Sequence, residues 1–293
     1  MPPFVDEVFH YVFVDGIYIS RNLVVLIAYS GRHVLGWYLA RSENSRAWEA
    51  LLSRIAPPDV VVTDGGPGFE KARRRAWPNT KVQRCTFHAF CQVRRYTTSR
   101  PKLQAGAELL DIAKALLKVE SKPDAQLWAE MYLDWCERWD DFLAEQTVDE
   151  ETGKHHWTHD RLVDARASLN RLMNKRVLFT YLDEELVLEG SVPATTNSIE
   201  GGVNAQLRSM LRDHRGLSAL RRVKAVFWWC YMHTECPLSA SEILNVMPTD
   251  QDIENEYKAI EEEKRRTSTI PQWGDAVVWS EFHHSSPWRH DWD

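Results

Sequence analysis

The chain has 293 residues, 44% hydrophobic and 27% charged, a composition that supports a substantial core and excludes wholesale disorder. Lys and Arg number 36 against 42 Asp and Glu, a net charge of −6, so no cationic coat covers the chain and any contact with a polyanion has to be local. The apolar runs are too short for a transmembrane helix, no signal-peptide pattern is present, and five unevenly spaced cysteines fit reduced thiols in a cytosolic protein.

Residues 1–7 read as a frayed start. Val8 to Val14 is a strand expected to end at Asp15-Gly16. Leu23 to Tyr29 is almost wholly apolar and reads as a buried strand, and after the turn Ser30-Gly31-Arg32 a third strand covers His33 to Ala40. The short connections predict an antiparallel meander. Asn44 or Ser45 starts a helix through Ile55, with Trp48, Leu51, Leu52 and Ile55 on one face, and Pro57-Pro58 ends it. A fourth strand, Asp59 to Thr63, then pairs in parallel if that helix is a crossover. Gly65-Gly66-Pro67-Gly68 precedes a short basic helix from Phe69 to Trp77, and Lys81 to Arg84 is a fifth strand. This order predicts an α/β fold of the ribonuclease-H-like kind: a mixed sheet made of a three-strand antiparallel meander plus parallel strands.

Strand signals then fade. Leu103–Val119, Pro123–Glu145 and a broken run over Thr158–Glu185 carry apolar residues at helical spacing, with the polar loop Asp149-Glu150-Glu151-Thr152-Gly153-Lys154 between the last two. This section reads as an all-α insertion, its tryptophans serving as core. A helix carrying Glu200 runs to about Asp213, and another covers Leu217 to about Glu235. The expected divisions are a core at 8–100, the insertion at 101–190, a second core segment at 191–236, and an acidic tail at 237–293 with Trp273, Trp279, Trp288 and Trp292.

Three acids stand out. Asp15 and Asp64 each follow an apolar strand, and Glu200 lies three residues beyond Asn197 at a helix start. One reading is local: Asp before Gly is turn chemistry, and Asn197 with Glu200 forms a capping box. The other is that the carboxylates, if strands one and four are neighbours, share two divalent ions roughly 3.5–4 Å apart for phosphoryl chemistry, with Mg²⁺ suited to hard oxygen ligands. Around Asp64 lies a basic stretch with Arg73, Arg74, Arg75, Arg84, Arg94 and Arg95, either a solvated face or a set of phosphate contacts. Asn204 and Arg208 follow Glu200 at four and eight residues and share its helical face. Cys85 and His88 make half a zinc site with Cys91 nearby, and His155-His156-x-x-His159 is a second metal-like pattern; a buried thiol with a hydrogen-bonded His is the simpler account.

Four segments, Val14-Asp15-Gly16, Val62-Thr63-Asp64-Gly65, Arg84-Cys85-Thr86-Phe87-His88 and Thr195-Thr196-Asn197-Ser198-Ile199-Glu200, occur in the order found in a known family. Over about residues 8–235 the chain resembles the catalytic region of DDE transposases of the bacterial insertion-sequence group related to the Mutator-like elements. The resemblance implies Asp15, Asp64 and Glu200 as catalytic carboxylates holding two Mg²⁺ or Mn²⁺ ions. It implies DNA handling by Cys85, His88 and their neighbours, and action on element ends and target DNA as a cytoplasmic, nucleoid-associated homo-oligomer with no membrane partner. The family also carries a DNA-binding region ahead of its first Asp, for which Asp15 leaves no room. The alternative expectation is therefore a truncated, inactive relative that regulates by binding DNA or a transposase.

Overall fold

The structure is a computed structural model and describes residues 4–150 and 152–267. One unit runs through Asn245 and a second begins at Val246. The first is built from β1 (Tyr11–Ser20), β2 (Leu23–Tyr29), β3 (Val34–Ala40), α1 (Ser45–Leu52), β4 (Val60–Thr63), α2 (Pro67–Ala76), β5 (Lys81–Arg84), α3 (Thr86–Thr97), α4 (Gln104–Ala115), α5 (Lys122–Arg138) and the short α6 (Asp140–Leu143). There follow β6 (Gln146–Val148), β7 (His155–Trp157), α7 (Asp160–Asn174), α8 (Glu184–Glu189), a π-helix (Ser198–Asn204), α9 (Ala205–Asp213), α10 (Ala219–Met232) and α11 (Ala240–Val246). The second unit carries α12 (Asp250–Thr267), an acidic helix whose Ile253 is buried. The Trp-rich tail expected from the sequence lies outside the described residues.

The five-stranded sheet has the order β3-β2-β1-β4-β5. The expected antiparallel meander is present, and β4 joins β1 in parallel through Tyr11↔Val60, Val12↔Val61 and Phe13↔Val62, with β5 parallel on its far side. Strand β1 departs from expectation. It does not stop at Asp15-Gly16 but continues through the alternating Ile17-Tyr18-Ile19, and the chain reverses at Arg21-Asn22 instead. Pairing with β2 through this stretch overrides the turn preference of Asp-Gly.

Val12, Phe13 and Val14 are buried in succession because both faces of the sheet are covered there, and burial alternates only from Ile17 to Ser20. Val12, Val14, Val24, Leu26 and Val61 join Trp48, Leu51 and Leu52 of α1 and Phe69 and Ala72 of α2 in one core. Asn44 starts α1 by accepting a hydrogen bond from Ala47 N at 3.0 Å. On the opposite face α10 packs its aromatic residues over β3, with Trp37 edge-on to Tyr231 at 4.6 Å between ring centroids.

A second core belongs to the helices. Val93 of α3, Leu109 and Ala113 of α4, Trp128, Tyr132 and Trp135 of α5 and Leu169 of α7 pack together, so the helical core takes in α3 rather than beginning at 101. Trp128 and Trp135 are core, their indole N–H groups donating to Ile112 O and Ala105 O, whereas Trp139 is partly buried and Trp157 exposed. The section is not wholly helical, because β6 and β7 form a small exposed hairpin around the polar loop. Ser121 and Asp124 form a reciprocal capping box at the start of α5. Ser121→Ala is expected to cost about 1 kcal/mol, read as a lower denaturant midpoint at unchanged slope.

Helical section and sheet are joined at β5. Gln83, fully buried, donates to Leu178 O and accepts from Tyr181 N, Thr180 Oγ1 donates to Val82 O, and Arg84 N donates to Val177 O. Residues 177–181 thus cover what would otherwise be an open strand edge.

Candidate active site

The register of the sheet brings two of the three predicted acids together. Phe13 and Val62 are the last parallel pair of β1 and β4, and Asp15 and Asp64 each stand two residues further on. Equal offset on adjacent parallel strands gives them the same side of the sheet. Asp15 lies within its strand, opposite Ile27 of β2, rather than at the strand's end.

Burial is the largest influence on Asp15, raising its carboxyl from the ordinary 3.8 to about 6; the Gly16 N–H, 2.8 Å from Oδ1, opposes the rise, and the charges of Asp64 and Glu200 add to it. A fourth acid, missed by the sequence reading, belongs to the same group. Glu43, just before α1, is pushed up to about 7 by burial and by the charges of Asp64 and Asp15. It hydrogen-bonds Tyr18 and lies over Gly16, where an added Cβ would come within 2.7 Å of Glu43 Oε1. No local pattern marks Glu43: it stands beside a helix N-cap, and packing of α1 brings it over Gly16.

Glu200 sits on the π-helix, not at the capped α-helix start expected. Asn197 has helical backbone angles and its side chain caps nothing; it packs over Gly201 instead. Gly201-Gly202, weak α-formers, permit the wider turn, a distortion frequent at functional sites. Thr196 Oγ1 donates to Glu200 Oε1, and His88 Nδ1 lies 3.5 Å from the same oxygen. Thr196 N and Oγ1 are also 3.3 and 3.2 Å from Cys85 Sγ. Burial alone would raise the Cys85 thiol, but hydrogen bonds from His88 and Thr196 outweigh it and lower it; His88 is raised, chiefly by its bond to Cys85. Asn204, fully buried, donates from Nδ2 to Asp15 Oδ2 at 2.6 Å, while its Oδ1 has no hydrogen-bond partner. Arg208 is exposed on α9, close enough to counter the rise at Asp15.

Asp15, Asp64, Glu43 and Glu200 are half-buried hard oxygen donors that act on one another's charge, although among the described residues their oxygens form no three-ligand cluster. In chemical kind, such oxygen donors suit divalent ions. Among the described residues His155, His156 and His159 belong to no three-ligand cluster; His159 instead bonds Glu145 and stacks on Phe142.

The predicted cations divide. Arg73 is turned inward, bonding Glu70 and the carbonyls of Trp77, Pro78 and Thr80, so its charge is used within the fold rather than offered outward. Arg74 pairs with Glu70 and Arg75 with Glu49 at the surface. Arg94 lies over Phe90, and Arg95 is exposed on α3. Arg84 packs against Gly65, with Nη1 buried and without a partner; its burial weakens the charge, which Asp64 opposes. A cavity of about 640 Å³ beginning at Thr63 and Gly65 is lined by Lys71, Arg74, Arg75, Arg84, Arg171 and Lys175, with Glu70 the one acid among its lining residues. Arg171 and Lys175, at the end of α7, were not singled out from the sequence because they lie far from Asp64 along the chain.

Comparison with known proteins puts this chain among the transposases. The family described as Transposase, Mutator family, matches residues 4–179, more than half the chain, and the chain belongs to it. The chain is also 33% identical over 93 residues to the transposase for insertion sequence element IS905 of Lactococcus lactis subsp. lactis (strain IL1403). That alignment spans 30% of this chain and 23% of the relative. The family match ends before the π-helix, so Glu200 stands outside it.

Proposed function

We propose that this chain is the catalytic part of a DDE transposase, with a ribonuclease-H-like core at 8–100 and 191–236 interrupted by the helical section. It cleaves DNA at insertion-sequence ends and transfers the strand to target DNA. The observation carrying this reading is the matched offset of Asp15 and Asp64 on adjacent parallel strands, with Glu200 electrostatically coupled to Asp15 from the π-helix. Asp15, Asp64 and Glu200 would hold Mg²⁺ or Mn²⁺, two ions that supply activation of the attacking oxygen and stabilisation of the leaving one.

The other groups have positional roles. Asn204 fixes the Asp15 carboxyl by its hydrogen bond and Thr196 fixes Glu200. Arg208 faces the substrate from α9. The basic cavity beside Asp64 takes the phosphate backbone, with affinity rather than sequence choice as its contribution. Lys175→Gln is expected to weaken DNA binding uniformly across sequences and reduce the slope of log K against log salt by about 1. No helix among the described residues is long and apolar enough to cross a membrane, and the active assembly is proposed to be a homo-oligomer on DNA.

The test is incubation of the full chain with linear DNA carrying the element ends and Mg²⁺. Nicks and strand-transfer products are expected, and their loss in Asp64→Asn. DNA binding without any product from the intact chain would replace this reading with that of a regulator that binds DNA or a transposase.

A further inference from the structure

Three chemically different donors meet beside the carboxylate group. Cys85 Sγ, a His88 ring nitrogen and a Glu200 oxygen lie within 4.8 Å of one another. Cys85 is held at the end of β5 by its N–H bond to Thr63 O at 2.9 Å, and His88 follows in the first turn of α3. The Cys-x-x-His spacing puts thiol and imidazole on one side of that helix start. Glu200 arrives from the π-helix, with Thr196 bridging the two segments.

One hydroxyl is shared among three partners here. Thr196 Oγ1 is within 3.2 Å of Cys85 Sγ and 3.5 Å of His88 Nδ1, and it also bonds Glu200 Oε1. Its single proton can serve one of Cys85 Sγ, His88 Nδ1 and Glu200 Oε1 at a time. A cation satisfies all three together. Thr196 N, a backbone donor, points at Cys85 Sγ from 3.3 Å and would hold a metal-bound thiolate in place.

We propose that Cys85, His88 and Glu200 form a zinc-class site, separate from the Asp15–Asp64 pair and touching it through Glu200. The sulfur selects against Mg²⁺ and Mn²⁺, which prefer oxygen, and favours Zn²⁺ or its analogue Co²⁺. Cys85 is buried, but the side chains of His88 and Glu200 remain 31% and 28% exposed, leaving one side open to solvent. Three protein ligands with one open side describe a site that can accept a water or a phosphate oxygen in the fourth position. The proposal rests on the transposase reading only for the role of Glu200 at the neighbouring carboxylates.

Co²⁺ titration of the metal-free full chain tests it. One equivalent is expected to bind with a thiolate-to-cobalt charge-transfer absorption in the near-ultraviolet, and Zn²⁺ to displace it. Cys85→Ser should remove that absorption. His88→Gln, at a partly exposed position, should retain it at saturation while weakening binding at least ~10-fold. Circular dichroism establishes that each variant is folded. The double variant Asp15→Asn/Asp64→Asn should keep the cobalt absorption and lose Mn²⁺ binding. Absence of the charge-transfer band in the wild-type chain, its persistence in Cys85→Ser, or its loss in the double variant overturns the separate sulfur site. Failure of Mn²⁺ to bind the wild-type chain while the cobalt band appears strikes the carboxylate reading alone.

Discussion

Asp15→Asn is expected to abolish Mg²⁺-dependent DNA cleavage and, in the same protein, to raise the melting temperature of the metal-free form at pH 7.5. As a proposed metal ligand, Asp15 should matter to activity at least ~100-fold, since losing a group that merely hydrogen-bonds a ligand costs about 10–100-fold. The stability gain follows from linkage. A carboxyl raised from 3.8 to about 6 binds its proton more tightly folded than unfolded. The stability it contributes is present at acid pH and is lost as pH rises towards 6, leaving an ionised, crowded group worth on the order of 3 kcal/mol of destabilisation at neutral pH. Glu43 adds to this, but its repulsion with Asp15 is shared and must not be counted twice.

Asparagine removes the charge while keeping the shape. Its Oδ1 can still accept from Gly16 N, and Asn204 can rotate its unpartnered Oδ1 towards the new amide. The metal-free wild type should therefore gain melting temperature between pH 8 and 5.5, and the variant should show a flatter profile. Mg²⁺ at pH 7.5 should stabilise the wild type and leave the variant unchanged. A variant that melts lower than wild type in chelator, or that Mg²⁺ still stabilises, would remove the crowded-carboxyl account.

Gly68→Ala should be among the most damaging single-methyl additions in the chain. An added Cβ there would run into the carbonyl of Glu43 and lie 3.2 Å from both Cα and C of Asn44. These are backbone atoms fixed by the start of α1, so no flexible side chain can yield. Overpacking costs ~1–3 kcal/mol where neighbours adjust, and here about 3 kcal/mol or more is expected. Each kcal/mol corresponds to about 2–4 °C of melting temperature for a domain of this size. The clash also pushes Glu43 from its place over Gly16, so metal affinity should fall along with stability. A drop in melting temperature of under 2 °C would show that α1 and α2 can separate cheaply.

The strands and their order were readable because the sheet is built from nearly continuous apolar runs, such as Leu23–Tyr29, separated by turn residues. Asp-Gly usually turns the chain, which predicts Asp15 at a strand end; pairing with β2 carries the strand past it. The helix at Glu200 was read with 3.6-residue spacing and a capping box, whereas the Gly201-Gly202 pair lets it widen into a π-helix that no simple period reveals. Glu43 and the α7 cations were hidden for another reason. Their proximity to Asp64 is created by packing, Glu43 by the start of α1 and Arg171 by the helical section, and sequence distance carries no trace of it. The grouping of Thr196 with Cys85 was likewise beyond local pattern.

The bonding of β5 has a mechanical consequence. Gln83 and Arg84 are tied to residues 177–181, and β5 runs beside the strand that leads into Asp64. Under the proposed function, a pull on α7 at Arg171 or Lys175 passes through these hydrogen bonds to the strand that leads into Asp64. On the proposed reading, the cations that hold the polymer and the acids that cut it therefore share one bonded frame through β5.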